Sequence, residues 1–554
     1  MENRALLAFV LSLAVFVLWG YFLSKTQSPP PEQTAETFRT EQREEPLIPD
    51  SQLPLIPDSQ LPLPDASFRE TVPAPQPSQP TTTFLQPEEF VNVYNGDVSY
   101  VFSSRGGVLT DVLFHKYLDD DGNPLNLILH EEGELYPLTL KSGNAAIDRV
   151  LQTGHYAPSV SIINLDESNP TAELTLHLQH PSGLQVDKKF IFTHNQRLIE
   201  VKVVVNASSF ASKNLEYAIL WGPRLGGAST SQTDYITFSG PTTFVNNERI
   251  ESHPDDIGDG ITHRGDLLWT SFQNKYFAAA LIPEQGVKSA LVEKPDKNKD
   301  AVYVGLNLES VQSTASASFL LFAGTKELGL LEDAGHKLVR LIDYGWLGNK
   351  FAFFVKPMLK TLNYIYGKTN NYGWAIILIT VLIKIILFPL TQKSFKSMKG
   401  MQKVQPYVKI IQERNKGDRS KMNEELMDLY KTHRVNPLGG CLPMLLQIPV
   451  FIALYHALFF SIELRGAPFM LWITDLSLQD PYYVTPVLMG ATMFLQQKLT
   501  PTVADPMQQK IFLMMPIIFT FLFITFPAGL VIYWTTNNIL TIAQQYYIYH
   551  IAKD

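Results

Sequence analysis

Apolar residues are spread unevenly along the 554-residue chain, and their spacing changes from segment to segment. Ala5 to Leu23 is apolar apart from Ser12 and carries no charge, which over 19 residues gives about 28 Å of helix, long enough to span a bilayer. No small-x-small cleavage site follows it, so residues 1–24 are read as an uncleaved membrane anchor with its N-terminus inside. Residues 25–87 form a Pro-rich linker, in which Leu47-Ile-Pro-Asp-Ser-Gln-Leu-Pro54 is repeated at once as 55–62.

Over residues 88–325 the period becomes two. Val91 and Val93, then Val98, Tyr100 and Phe102, flank Asn95-Gly96, a hairpin signal. Leu174, Leu176 and Leu178 alternate with polar residues, as do Val201, Val203 and Val205, and later Val302, Val304, Leu306 and Leu308. Many short alternating strands predict a large antiparallel all-β sandwich, big enough to bury a core unaided.

From 326 the pattern turns helical. Residues 326–371 read as an interfacial amphipathic region, with Lys350, Lys356 and Lys360 opposite an apolar side. Residues 372–550 read as a five-span core: Trp374–Leu390, Cys441–Ile462, Tyr482–Gln497, Ile511–Phe526 and Gly529–Tyr547. With the anchor this predicts six spans, an α-helical membrane bundle joined to the sandwich. Between the first two core spans, 391–440 reads as a helical hairpin. Met398, Met401, Val404, Val408 and Ile411 line its first helix, Asn415 to Asp418 form the turn, and Ser420 to His433 make the second.

Charge orients these pieces. Ser24 to Lys350 holds 25 Lys and Arg against 42 Asp and Glu, whereas the remainder holds 20 against 11. The 391–440 loop alone carries 11 basic and 5 acidic residues, which places it in the cytoplasm and the acidic sandwich outside. Six spans then return the C-terminus to the cytoplasm. Lys399, Lys403, Lys409 and Arg414 make the hairpin's basic face, suited to lipid head groups or ribosomal RNA, or simply a solvated face that fixes topology. With one cysteine, Cys441, no intramolecular disulfide is possible.

Enzyme signatures are missing. There is no G-x-S-x-G, no H-E-x-x-H, no phosphate-binding loop and no carboxylate in the core spans. The two histidines of 253–263 fit no standard metal spacing. The candidate chemistry is instead a charge in an apolar helix. Thr380 and Lys384, four residues apart, share one helix face. A lysine near mid-span costs about 2.5–3.5 kcal/mol. Either it snorkels to the cytoplasmic surface or it faces a wet cavity. The cavity is favoured because other spans carry polar groups: Gln447, and Thr535, Asn538, Thr541 and Gln545 at intervals of three or four. An unneutralised cation there suits a transient anion.

At these residues the chain resembles the YidC-type membrane protein insertases of Gram-negative bacteria. The resemblance covers most of the chain and is densest at Val435–Pro443, Glu463–Pro468, Gln479–Tyr483 and Asp505–Lys510. It implies a non-enzymatic insertase and folding chaperone of the inner membrane, without cofactor or metal. Its partners would be nascent membrane proteins, the lipid bilayer and the Sec translocon, with the ribosome and targeting factors at the cytoplasmic loops, and no DNA. It implies a hydrophilic groove open to the cytoplasm and to lipid, with Lys384 where the family usually has arginine. Thr380, Gln447, Ile448, Phe451, Tyr533, Trp534 and Asn538 would line the groove and the substrate's exit path. The outer domain would be a β-supersandwich similar to sugar-mutarotase folds.

Overall fold

The computed structural model describes residues 87–551 except 120, 214, 228–236, 259, 295–300, 345–348, 416, 434, 436–441 and 501–505. The anchor expected over 1–24, and all but the last residue of the linker expected over 25–87, lie outside the described residues.

The first half is β-rich. Phe90–Asn95 and Val98–Ser103 pair antiparallel about the Asn95-Gly96 turn, where Gly96 takes a φ of +64°. That left-handed conformation suits glycine. The hairpin belongs to a five-stranded sheet, at whose edge Ile162–Leu165 joins in parallel, the one departure from the antiparallel expectation among the described strands. A ten-stranded sheet has at its centre Phe277–Gln285, Thr314–Thr325, Leu198–Asn206, Gln185–Thr193 and Thr171–Gln179, all antiparallel. A second five-stranded sheet contains Val287–Glu293, Tyr303–Leu308 and Ala218–Trp221. One apolar cluster joins residues of all three, among them Val93, Phe102, Phe190, Val201, Ile219 and Val304. Alternation dictates this: Leu174, Leu176 and Leu178 point in, while the residues between them reach solvent.

Helix α1 (Ala145–Thr153) packs on the sandwich, and α2 (Leu328–Ala334) follows its last long strand. Helix α3 (Ala352–Thr369) precedes α4 (Tyr372–Arg414), whose 43 residues extend about 65 Å. The sequence suggests a span ending at Leu390 and a separate hairpin helix. The backbone instead runs on through both. The change from apolar to polar residues marks where an apolar environment would end, not where the helix ends. Pro389 is tolerated inside it, and the Thr391 hydroxyl donates back to Leu387 O and Phe388 O at 3.0 and 3.1 Å. Helix α5 (Arg419–Thr432) completes the hairpin, with Asp418 capping its start. Helices α6 (Leu442–Phe460), α7 (Val484–Leu499), α8 (Pro506–Phe523) and α9 (Ala528–Tyr546) make the rest of the bundle.

By length and composition alone, one described helix, α4, is long and apolar enough to cross a membrane, and two shorter apolar helical stretches lie at Gln447–Phe460 and Leu513–Phe523. Packing adds an independent sign. The bundle turns large apolar side chains outward: Ile385 and Ile386 of α4 are 64% and 65% exposed, and Phe521 of α8 is 71% exposed. A bundle in water would bury such a belt.

Candidate functional site

The polar interior of the bundle is built around α9. Its inward face carries Thr535, Asn538, Thr541, Gln544 and Gln545, all buried. These residues recur at helical spacing; Thr535 returns its hydroxyl to Val531 O at 2.8 Å, and the other four divide between two neighbours. Toward α4, Thr541 Oγ1 accepts a hydrogen bond from Lys384 Nζ at 2.7 Å, and Gln544 Nε2 donates to Thr391 Oγ1 at 2.8 Å. Toward α7, Asn538 Nδ2 donates to Thr492 Oγ1 at 3.3 Å, and Gln545 Nε2 donates to Thr500 Oγ1 at 2.9 Å. The last helix is thus held by polar bonds on both sides.

Lys384 is half-buried on the same side of α4 as Thr380. Thr380 is buried and returns its hydroxyl to Ile376 O at 2.6 Å. Among the described residues no carboxylate pairs with the ammonium. Its one bond, to a neutral hydroxyl, restores about 1 kcal/mol against a desolvation cost of about 2.5–3.5 kcal/mol. The Thr541 hydroxyl spends its own proton on Asn537 O at 2.6 Å, so it faces Lys384 as an acceptor.

Side chains of α6, α8 and α9 make an apolar and aromatic wall. Gln447 Nε2 of α6 donates to the hydroxyl of buried Tyr533 on α9. Ile448, the next residue, is exposed. Phe451 meets Trp534 edge-on with ring centroids 4.8 Å apart, and Trp534 also contacts Phe523 and Phe519 of α8 at 5.1 and 6.1 Å. The residues expected to line a groove therefore fall into three groups: Lys384 with Thr541, the Gln447–Tyr533 pair with Phe451 and Trp534, and Asn538 facing α7. Gln544, Thr391, Thr492 and Thr500 join this interior although neither spacing nor resemblance singles them out. Thr391 comes nearest, since it follows Lys384 by seven residues and so shares its face.

The hairpin packs through Met401, Val404 and Val408 of α4 and Met422 of α5, all buried. Arg414 donates to Glu425 Oε2 at 2.6 Å, and Asn415 Nδ2 donates to the same oxygen at 3.0 Å. Arg414 is therefore engaged within the hairpin. Lys403 and Lys409 are exposed and Lys399 is half-buried.

At the opposite end the bundle meets the sandwich. Arg465, just past α6, donates through Nη1 to Gly227 O at 2.6 Å and lies over the rings of Tyr276 and Phe277. Glu463 accepts from Asn363 Nδ2 of α3 at 3.3 Å, and burial raises its carboxyl above the usual range.

Two family profiles match the chain: the YidC periplasmic domain over residues 91–361 and the 60Kd inner membrane protein over 364–554. Two proteins described as membrane protein insertase YidC align along it. That of Geobacter metallireducens is 38% identical over 99% of this chain and 98% of its own length, and that of Geobacter sulfurreducens is 37% identical over the same shares. Among solved structures, "Active YidC insertase crystal structure with the first transmembrane domain resolved" aligns at 19% identity and TM-score 0.35, covering 84% of this chain and 95% of that one. A galactose mutarotase-like protein from Lactobacillus casei aligns at 10% identity and TM-score 0.29, covering 43% and 99%.

Proposed function

Because the chain belongs to the family of YidC membrane protein insertases, which are inner-membrane proteins and not enzymes, we propose that it inserts and folds integral membrane proteins through the polar interior beside α9. The single observation that carries the mechanism is Lys384, a cation kept in an apolar helix with one neutral acceptor. Among the described residues no anion meets this charge, and a substrate's acidic group can supply one. The acidic or polar tail of a substrate enters from the cytoplasm and is held by this positive potential. Its apolar segment moves along Ile448, Phe451 and Trp534 and leaves between helices into lipid, where burial of apolar surface drives the step without ATP.

Six spans, counting the anchor of residues 1–24, place both termini in the cytoplasm and the sandwich in the periplasm. The hairpin, through Lys399, Lys403 and Lys409, receives the ribosome or targeting factors, with Arg414 serving its fold. The protein works alone or beside the Sec translocon. Lysine offers a point charge without arginine's fork, so attraction matters here more than a two-point grip.

The test is insertion of a single-span substrate with an acidic tail into proteoliposomes. Lys384→Glu abolishes insertion, Lys384→Ala reduces it, and Lys384→Arg supports it. Normal insertion by the Ala and Glu variants together would sink the electrostatic mechanism.

A further inference from the structure

Between α6 and α7, residues 461–483 cap the bundle on the side of the sandwich. Residues 467–474, Ala-Pro-Phe-Met-Leu-Trp-Ile-Thr, carry no charge. The loop is firmly built. Gly466 N donates to Asp475 Oδ2 at 2.9 Å, Leu476 N to Ala467 O at 3.0 Å, and Phe469 N to Ile473 O at 3.0 Å. Buried Asp480 accepts from Trp472 Nε1 at 3.0 Å and from Thr485 N, at the start of α7, at 2.7 Å. Ile473 and Leu476 turn inward and join the bundle's apolar core.

The apex does the opposite. Leu471 is 82% exposed and Met470 44%. Leu471 also has a φ of +56°, a left-handed conformation that L side chains other than Asn and Asp rarely adopt. Packing does not explain a leucine here, and the backbone disfavours one. Glycine or asparagine would serve the turn better. Among the described residues nothing packs on this leucine, which points to a contact beyond them.

Its depth is fixed by α4. Asn371 Nδ2, at the start of that helix, donates to Phe469 O at 2.9 Å. The Phe469 ring sits against Gly373 so closely that a Cβ there would meet it at 2.0 Å, and it contacts exposed Trp374 at 5.8 Å. The apex thus lies beside the first turn of the apolar helix. Beyond the loop, Tyr482 and Tyr483 just before α7, and Val484, Val487 and Leu488 within it, are exposed as well, and Trp472 of the loop meets Tyr482 edge-on with ring centroids 6.1 Å apart. Aromatic residues at a helix end followed by outward aliphatic ones mark a bilayer boundary.

We propose that this loop is a membrane-docking wedge, with Met470 and Leu471 seated among the lipids of the outer leaflet. It rests on the reading of α4 and α7 as membrane spans. The loop then holds the sandwich-side end of the bundle against that leaflet, and its own hydrogen bonds keep the apex from folding back.

The test uses the full chain in a Cys441→Ser background, reconstituted in phosphatidylethanolamine and phosphatidylglycerol vesicles. An environment-sensitive fluorophore is placed at Leu471→Cys, with Met470→Cys as a second apex site. Ile386→Cys, on the outward face of α4, and Val311→Cys, on the exposed surface of the sandwich, are references. The expected result is quenching of the apex by lipid carrying a nitroxide near the top of its acyl chains, and quenching by iodide several-fold weaker than at Val311→Cys. If the apex reports water while Ile386→Cys reports lipid, the wedge alone falls. If the apex is shielded from both quenchers, a protein surface covers it and the wedge also falls. If Ile386→Cys reports water too, the spanning assignment fails and takes the wedge with it.

Discussion

The sandwich and the helical bundle each draw a lysine inward, and they treat it in opposite ways. Lys188 lies on strand Gln185–Thr193 and is fully buried. Its ammonium donates to Gly106 O, Gly107 O and Leu138 O at 3.0, 2.8 and 2.9 Å, and it sits over the ring of Tyr156 at 4.9 Å. The group's N–H bonds are spent on backbone carbonyls, tying a turn and a neighbouring segment to the central sheet. Lys384 has one hydroxyl. The same chemical group is a structural tie in one region and an uncommitted potential in the other. Apolar side chains follow the same division. In the sandwich they turn in, and in the bundle Ile385, Ile386 and Phe521 turn out.

The sharpest way to break this comparison is to remove each charge. Lys188→Met leaves three buried carbonyls without a donor and should cost about 3–5 kcal/mol in the sandwich. Hydrogen exchange over strand 185–193, with urea unfolding of the full chain, reads this directly. A loss below about 1 kcal/mol would mean that the tie is ornamental. The pH dependence carries a sign as well. Burial pulls Lys188 from its usual value of 10.5 to about 7. Between those values the unfolded chain binds a proton that the folded chain does not, so stability rises with pH from about 7 toward 10, by up to about 1.4 kcal/mol per pH unit. The full penalty of burying the charge is present below 7. A slope of the opposite sign would show that the three carbonyls outweigh desolvation.

For Lys384→Met the expectation reverses. The bundle loses a poorly compensated charge, so thermal stability in detergent is unchanged or slightly raised. Insertion of an acidic-tailed substrate falls roughly tenfold, equivalent to about 1.4 kcal/mol. Loss of stability together with function would make the lysine structural, like Lys188. Thr541→Val tests the remaining contact. It removes the acceptor while keeping the shape, and a roughly threefold change in insertion, about 0.7 kcal/mol, is expected.

How much of this was legible beforehand follows from what each pattern encodes. Period two marked the strands well, because one face of each is buried against a common core, as Leu174, Leu176 and Leu178 are. The same alternation also places a charge. Val186, Lys188, Phe190 and Phe192 alternate inward, so the register alone puts Lys188 in the core. In the bundle the sequence pointed to the polar stripe of α9 but not to its division between α4 and α7, because spacing gives a face and not a partner. It also split α4 in two, since hydropathy reports the surroundings of a helix and says little about its hydrogen bonds. Leu471 was invisible for a different reason: one more apolar residue in an apolar stretch says nothing until its backbone angle and its exposure are known together.

That residue supplies the smallest and most discriminating expectation. Leu471→Asn fits the left-handed turn better and should stabilise the detergent-solubilised chain by about 0.5 kcal/mol, read as a small rise in melting temperature. In vesicles the same substitution removes the apex from lipid, and the gain should shrink or reverse. Detergent and bilayer therefore give opposite signs only if the leucine's partner is the membrane. Equal gains in both would mean that Leu471 is simply a poor choice for its turn. The contrast between the two regions would then be narrower, with the bundle's outward apolar belt ending at α4 and α7 and not extending onto the loop that caps them.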